Sequence, residues 1–389
     1  MEISTLNEIL FEAISKASKI TTKNPQIPVL EYVFLELTDN STLRVVANNL
    51  DILYIQDVFV KTLNTEYKKT SICVSGGLIL SYLGLFDKSE QVRLTISDKS
   101  IVLNIKDQKS TISGVSAADY PKNSINTDVN PHNEEENQGN IIIPSDTLIK
   151  GIQSVSFSAA ITSIKPELSC IMMSINEGNM LFAATDGFRL AEKRFSIADK
   201  HSFPQGTTTT NLEDFKQVLV PAKIFQDCLK IVPNEVELKI SIRKGCLCIN
   251  LADSLISLRI INGSYPNYQA FIPKDFITQV EVGSADFLNG LKASNLFSDD
   301  FNYVKLDIQD SQMLLNSKNT KIGESTYKAD VKKKGEDISQ SYNHRYLSDF
   351  VGKVRDEVIT LDISGKATPT VLKVKNDASY LYIVMPMNK

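Results

Sequence analysis

Apolar residues in this chain fall into two alternating rhythms. Short runs of period two read as strands. Each leads through a small or polar residue into a run of period 3.6, which reads as a helix. Ile3-Ser4-Thr5 is followed by Leu6, Ile9, Leu10, Ala13 and Ala17, the spacing of one helical face. The segment IIIPSDTLIKGIQSV (141–155) repeats this plan: Pro144-Ser145 is a start signal, and Leu148, Ile152 and Val155 share a face. VEVGSADFLNGLKASNLF (280–297) does so again through Phe287 and Leu291. Leu6, Leu148 and Phe287 are equivalent in this reading, at intervals of 142 and 139 residues. A second series of helices lies between them, starting near Val74, Val220 and Tyr342. Alternating stretches such as VRLTISDKSIVLNI and VELKISIRKGCLCINL separate the helices and read as strands. The pattern predicts an α+β fold of three repeated domains. Each has two helices packed on antiparallel sheets of about eight strands in all.

Smaller motifs repeat as well. LRVVANNLDIL (43–53) superposes on MLFAATDGFRL (180–190), and MLLNSKNTK (313–321) is a weaker third copy. SAADYPK (116–122) and GSYPNYQ (263–269) mark domain ends in the same way. The polar, acidic stretch 125–138 reads as a linker between a first domain at 1–124 and a second at 139–262, with a third at 263–389. Residues 199–213 read as a loop insertion in the middle copy.

Repetition changes the meaning of Thr185-Asp186-Gly187-Phe188-Arg189-Leu190. Met alone, it invites an enzyme reading, with Asp186 as acid/base and Arg189 as substrate anchor. That reading asks for a partnering carboxylate, histidine or metal cluster, and the sequence offers none. Active sites rarely occur in degraded triplicate, so the segment reads as one of three equivalent turns.

Composition narrows the classes further. The chain has 389 residues, 42% hydrophobic and 23% charged, with a net charge of −4. A monomer that grips phosphates tightly carries a basic excess. This chain either ignores nucleic acid or gathers its positive charge on one face. Five cysteines, an odd count, argue against a disulfide framework. Cys246 and Cys248 fall on the same side of one strand and read as core thiols, the alternative being a metal site without companions. His132, His201 and His344 are scattered. No metal or cofactor is expected. No apolar run approaches the roughly 18–20 residues needed to cross a membrane, and the N-terminus lacks a signal pattern. A cytoplasmic location without membrane contact is the expectation.

Several segments in fixed order carry a family resemblance. They are Asn24-Pro25 with Pro28-Val29-Leu30, SAADYP at 116–121, ATDGFRLA at 184–191, GSYPNYQAFIP at 263–273 and the final VMPMNK. In this order, inside a threefold repeat, they resemble the bacterial DNA polymerase III beta subunit family, the DNA sliding clamps. The resemblance spans the whole chain. It implies a non-catalytic processivity factor in DNA replication. Two chains would join head to tail as a homodimer, each forming half of a closed ring with helices lining the hole. The ring would encircle double-stranded DNA. Its partners would be the replicative polymerase, the clamp loader and other proteins bearing a clamp-binding motif, a short peptide with Gln, Leu and Phe-like anchors. Closed symmetric oligomers are the usual way for such repeats to complete a ring, and no groove-reading element suggests a sequence preference.

By the same resemblance the peptide pocket comprises Leu168, Thr185, Gly187, Phe188, Arg189, Leu190, Pro266, Ile383, Met385, Pro386 and Met387. Met and Leu suit a wall that accepts many partners. Arg189 would offer its stem to that wall and its head to a peptide carbonyl. Met385-Pro386-Met387 has a second reading as a buried terminal strand. The DNA-facing cations would be Lys16, Lys19, Lys23, Lys150, Lys223, Lys230, Lys292, Arg345 and Lys353. Each reads equally as a solvated helix residue, and a repeat-built scaffold that never meets DNA is the corresponding rival. The dimer contact would set Ile112 against Phe287 and Leu288. Three positions depart from the family pattern: Asn24 replaces a frequent basic residue beside Lys23, Phe188 replaces a frequent histidine, and the chain ends Asn388-Lys389.

Overall fold

Each copy of the repeat opens on the same hydrogen-bonded corner. A computed structural model describes residues 1–23, 26–63, 68–121, 141–176, 178–196 and 215–387. Among these, six α-helices form: α1 (Asn7–Ser18), α2 (Gly76–Leu83), α3 (Ser145–Val155), α4 (Ala222–Cys228), α5 (Ser284–Leu296) and α6 (His344–Val351). The first residue of α1, α3 and α5 donates its backbone N–H to a distant carbonyl. Asn7 reaches Glu90 at 2.8 Å, Ser145 reaches Val236 at 2.8 Å and Ser284 reaches Glu357 at 2.9 Å. These donors lack an intrahelical acceptor, so the corner satisfies a group that would otherwise be orphaned.

The corner corrects the alignment read from periodicity. Leu6 ends the strand Glu2–Leu6 and stays exposed, as does Ile9. The buried face of α1 is Leu10, Ala13, Ile14 and Ala17. Leu10, not Leu6, is therefore the partner of Leu148 and Phe287, and the intervals become 138 and 139 residues. Strand and helix abut here without a turn, so hydrophobicity alone could not mark where one period gave way to the other. Helix–sheet distance repeats too. A Cβ on Gly151 would lie 2.4 Å from the Phe182 ring, and one on Gly290 would lie 2.8 Å from Tyr327. Only glycine admits this approach.

The strands form antiparallel sheets of five, eight, nine and four strands. Two of these ladders run through the expected domain boundaries. Strand Ile52–Phe59 pairs with Ser254–Arg259, placing Ile55 opposite Leu255. Strand Arg189–Ser196 pairs with Asp377–Val384, placing Leu190 opposite Ile383. By contacts the described chain parts into two units. One holds the described parts of 1–148 and 223–260; the other holds those of 149–202, 215–222 and 261–389. The middle copy contributes to both, because ladder hydrogen bonds join its sheets to those of its neighbours.

Each unit has a core closed by a domain-end motif. In the first, Leu30, Ile55, Cys73, Cys248 and Leu255 pack together, and Tyr120 of SAADYP stacks on Phe34 at 4.9 Å. In the second, Met172, Leu190, Val371 and Ile383 pack with Tyr265 and Tyr268 of GSYPNYQ. All five cysteines are free. Burial pushes the Cys228 thiol up to about 12 and Cys170 to about 11, so neither is a ready nucleophile. Cys246 packs against the core that holds Cys248. The linker 125–138, the insertion 199–213, Asn24, His132, His201 and Asn388-Lys389 lie outside the described residues.

Candidate functional site

The segment TDGFRL is a hairpin turn between strands Asn179–Thr185 and Arg189–Ser196. Its geometry follows from its side chains. Asp186 Oδ1 accepts the backbone N–H groups of Phe188 at 2.9 Å and Arg189 at 3.0 Å, and Thr185 Oγ1 accepts that of Gly187 at 3.1 Å. Gly187 takes φ +92°, the left-handed region that glycine enters without steric cost. The first copy of the repeat makes the same bonds with other residues. Asn49 Oδ1 accepts from Asp51 at 3.1 Å and Ile52 at 2.8 Å, and Asn48 Oδ1 accepts from Leu50 at 2.7 Å, with Leu50 at φ +74°. In the third copy Asn319 accepts from Lys321 at 3.0 Å. Asp186 is thus a turn former.

Arg189 is placed differently from the expectation. Its Nε donates to Asp186 Oδ2 at 3.0 Å and its Nη1 to Asp349 Oδ2 at 2.5 Å. The guanidinium lies 4.4 Å from the centre of the Tyr346 ring and 5.7 Å from that of Phe157. Burial opposes its charge, but Asp349, Tyr382 and Asp186 more than restore it, and its pKa is raised. The side chain is 11% exposed. Its head is therefore committed within the protein, and its role is to tie the turn to α6. Asp349, Tyr346 and Phe157 were missed by sequence reasoning. Their positions on α6 and after α3 carry no local signal of this contact.

Around this turn the structure gathers the other expected pocket residues. Met385 donates its N–H to the Phe188 carbonyl at 2.8 Å, and Met387 donates to Ser341 at 2.8 Å. The last strand stops at Val384, so Met385-Pro386-Met387 is not a buried strand. Met385 is exposed, and Pro386 and Met387 are half-buried. Phe188 is 63% exposed. Leu190 and Ile383 form an apolar floor with Tyr265, whose neighbour Pro266 is exposed. Leu168 sits half-buried in the 3-10 turn Pro166–Ser169, which packs on the Asn179–Thr185 strand. Thr185 is buried and donates its hydroxyl to the Arg189 carbonyl at 2.6 Å.

The expected DNA-facing cations divide into two groups. Lys16 pairs with Glu12 at 2.7 Å, and Lys223 and Lys230 share Asp227 at 3.1 and 2.6 Å. Lys19 donates to the Lys230 carbonyl at 3.0 Å. Lys23, Lys150, Lys292, Arg345 and Lys353 are exposed with no side-chain partner among the described residues. The residues expected at the dimer contact differ in exposure. Ile112 is 3% exposed and Phe287 is fully buried within the chain, and Leu288 is half-exposed. Exposed apolar side chains in this part of the third copy include Leu296, 69% exposed at the end of α5, Phe301, 72% exposed, and Ile322, 62% exposed.

Comparison with known proteins agrees with this architecture. The model of the DNA polymerase III beta subunit central domain matches residues 142–267, and that of its C-terminal domain matches residues 269–388. The chain is 22% identical over 392 residues to the beta sliding clamp of Buchnera aphidicola subsp. Rhopalosiphum padi, covering all of both chains. It is 21% identical over 397 residues to that of Bacillus subtilis, covering 100% of this chain and 99% of the relative. Among solved structures, the Pseudomonas aeruginosa DNA polymerase sliding clamp superposes with a TM-score of 0.86 at 18% identity, covering 100% of both chains. The DNA polymerase III beta subunit of Thermotoga maritima gives 0.84 at 20%, covering 100% of this chain and 99% of that one. With a threefold repeat of helix pairs on antiparallel sheets and a turn built for shape instead of proton transfer, the chain belongs to the DNA polymerase III beta subunit family, the non-catalytic sliding clamps of DNA replication.

Proposed function

We propose that two copies of this chain close head to tail into a cytoplasmic ring around double-stranded DNA, without sequence preference. The ring tethers the replicative polymerase, the clamp loader and other motif-bearing partners. The observation that carries ring closure is a pair of open sheet edges, one in the first copy of the repeat and one in the third. Strand Gln108–Ser113 ends the five-stranded sheet, and strand Gly323–Asp330 ends the four-stranded sheet. Neither contains proline. Such edges are templates for pairing with another chain, and a heterologous contact between them generates a ring where the rotation closes. The three domain copies of this reading are those at 1–124, 139–262 and 263–389.

Partners dock where the TDGFRL turn meets the tail. Exposed Phe188 and Met385 over a Leu190–Ile383 floor suit a peptide bearing Leu and Phe anchors. Burying one of each gains about 3–6 kcal/mol of gross apolar transfer, and ordering the peptide removes enough of this to leave micromolar binding. The ring reading is tested by assembling the protein on a nicked circular duplex. It should stay bound in salt that abolishes binding to linear duplex, and leave when the circle is cut. Equal loss from circular and linear DNA would refute it.

A further inference from the structure

A cavity of about 340 Å³ opens beside Pro266. Met172, Leu181, Tyr265 and Tyr268 form its apolar side, and Arg194 and Lys216 bring positive charge to it. Most of the remaining wall is asparagine and glutamine. The arginine is held from below. Glu192 is 2% exposed; its Oε1 accepts from Arg194 Nε at 2.6 Å, and its Oε2 accepts from the Tyr268 hydroxyl. This leaves both Nη atoms of Arg194 without a hydrogen-bond partner among the described residues. Tyr265 is common to the cavity and to the cluster containing Leu190 and Ile383. The polar cavity and the apolar floor thus share a wall.

We infer that this cavity is an annex of the peptide pocket, taking an acidic residue that flanks the apolar anchors of a partner peptide. The inference rests on the pocket reading above. A fixed guanidinium with two free nitrogens matches the two oxygens of a carboxylate. Lys216 lines the same cavity and brings a second basic side chain to it. The amides offer further donors to a peptide backbone. Shared walls make the cavity reachable by residues directly before or after the anchors.

The test is a fluorescence-anisotropy titration of the full chain with synthetic peptides. One is the core Gln-Leu-Ser-Leu-Phe. The others carry Asp-Asp or Asn-Asn at its N-terminal or its C-terminal end. One Asp-Asp extension should bind about three- to fivefold tighter than its Asn-Asn counterpart at low salt, and the gain should vanish at roughly 0.5 M salt. Arg194→Gln should abolish the gain. Lys216→Gln, which leaves Glu192 its partner, should reduce it. Both variants should bind the core peptide as the natural protein does, which also reports that they are folded. An equal affinity for acidic and neutral extensions, or a gain that survives in Arg194→Gln, would overturn the annex while leaving the pocket standing. Failure of the core peptide to bind the natural protein would overturn the pocket and the annex together.

Discussion

Arg189 and Asp186 have the composition of a catalytic pair, yet every polar atom assigned to them serves the turn. Asp186 shapes the backbone and Arg189 joins it to Asp349. In the proposed pocket, binding would then fall to the apolar residues beside them. Met385→Ala and Met387→Ala should each weaken partner peptides by about 1–3 kcal/mol, as truncated anchors do. Dimer mass should not change. Normal peptide affinity in both folded variants would remove the pocket assignment. A second residue, His344, gives pH dependence. It begins α6 and is 2% exposed, and burial and then Arg345 lower its pKa from 6.5 against the opposing pull of Asp299. The unfolded chain therefore binds a proton that the folded chain resists. Stability present above about pH 6.5 is lost as pH falls below it. His344→Gln should lose less stability than the natural protein between about pH 7.5 and 5.5 in urea unfolding. Identical losses would show that another group governs this window.

The six helices were legible as elements because each has a buried face, but periodicity misplaced the start of α1. In α5 periodicity set Phe287 with Leu291 on the inward face, while the resemblance set Phe287 with Leu288 at the dimer contact. The fold buries Phe287 completely and leaves Leu288 at the margin, while Leu296 stands free. Helix α5 packs on the strand Gly323–Asp330, and a Cβ built on Gly323 would lie 3.7 Å from the Phe297 ring, which puts the neighbouring Leu296 near that open edge. Phe287→Ala should therefore destabilise folding by about 3–5 kcal/mol through a core cavity. Leu296→Asp should leave the fold intact, since exposed substitutions cost little. It should halve the mass in sedimentation equilibrium at micromolar protein, because it would set a charge in the proposed chain-to-chain contact. An unchanged mass would move that contact elsewhere.

On the scale of the whole molecule, charge is the informative quantity. A net charge of −4 forbids strong general attraction to DNA, so contacts come from particular cations. Lys19 and Lys230 are engaged within the protein, whereas Lys150 and Lys353 are exposed without partners among the described residues. In titrations of linear duplex against salt, Lys150→Ala or Lys353→Ala should reduce the log–log slope by about one unit. Lys19→Ala should change it much less. Equal slopes in all three variants would contradict this division of the lysines.

The sequence by itself determined the repeat, the pairing of helices with antiparallel strands and the equivalence of the three turns. Each rests on local chemistry: a period of 3.6 or 2, a small residue at a helix start, an Asx side chain bonding two residues ahead. Through the family resemblance it also set Phe188, Leu190, Ile383 and Met385 together as one expected pocket, from motifs that lie far apart in the chain. Tertiary structure alone decided what those residues face. It committed the head of Arg189 to Asp349, separated the paired lysines from the free ones, and carried ladder hydrogen bonds through boundaries that composition had marked as breaks. These outcomes depend on distances between residues up to 211 positions apart. No window of sequence contains such a distance, and strand pairing and packing are what set it.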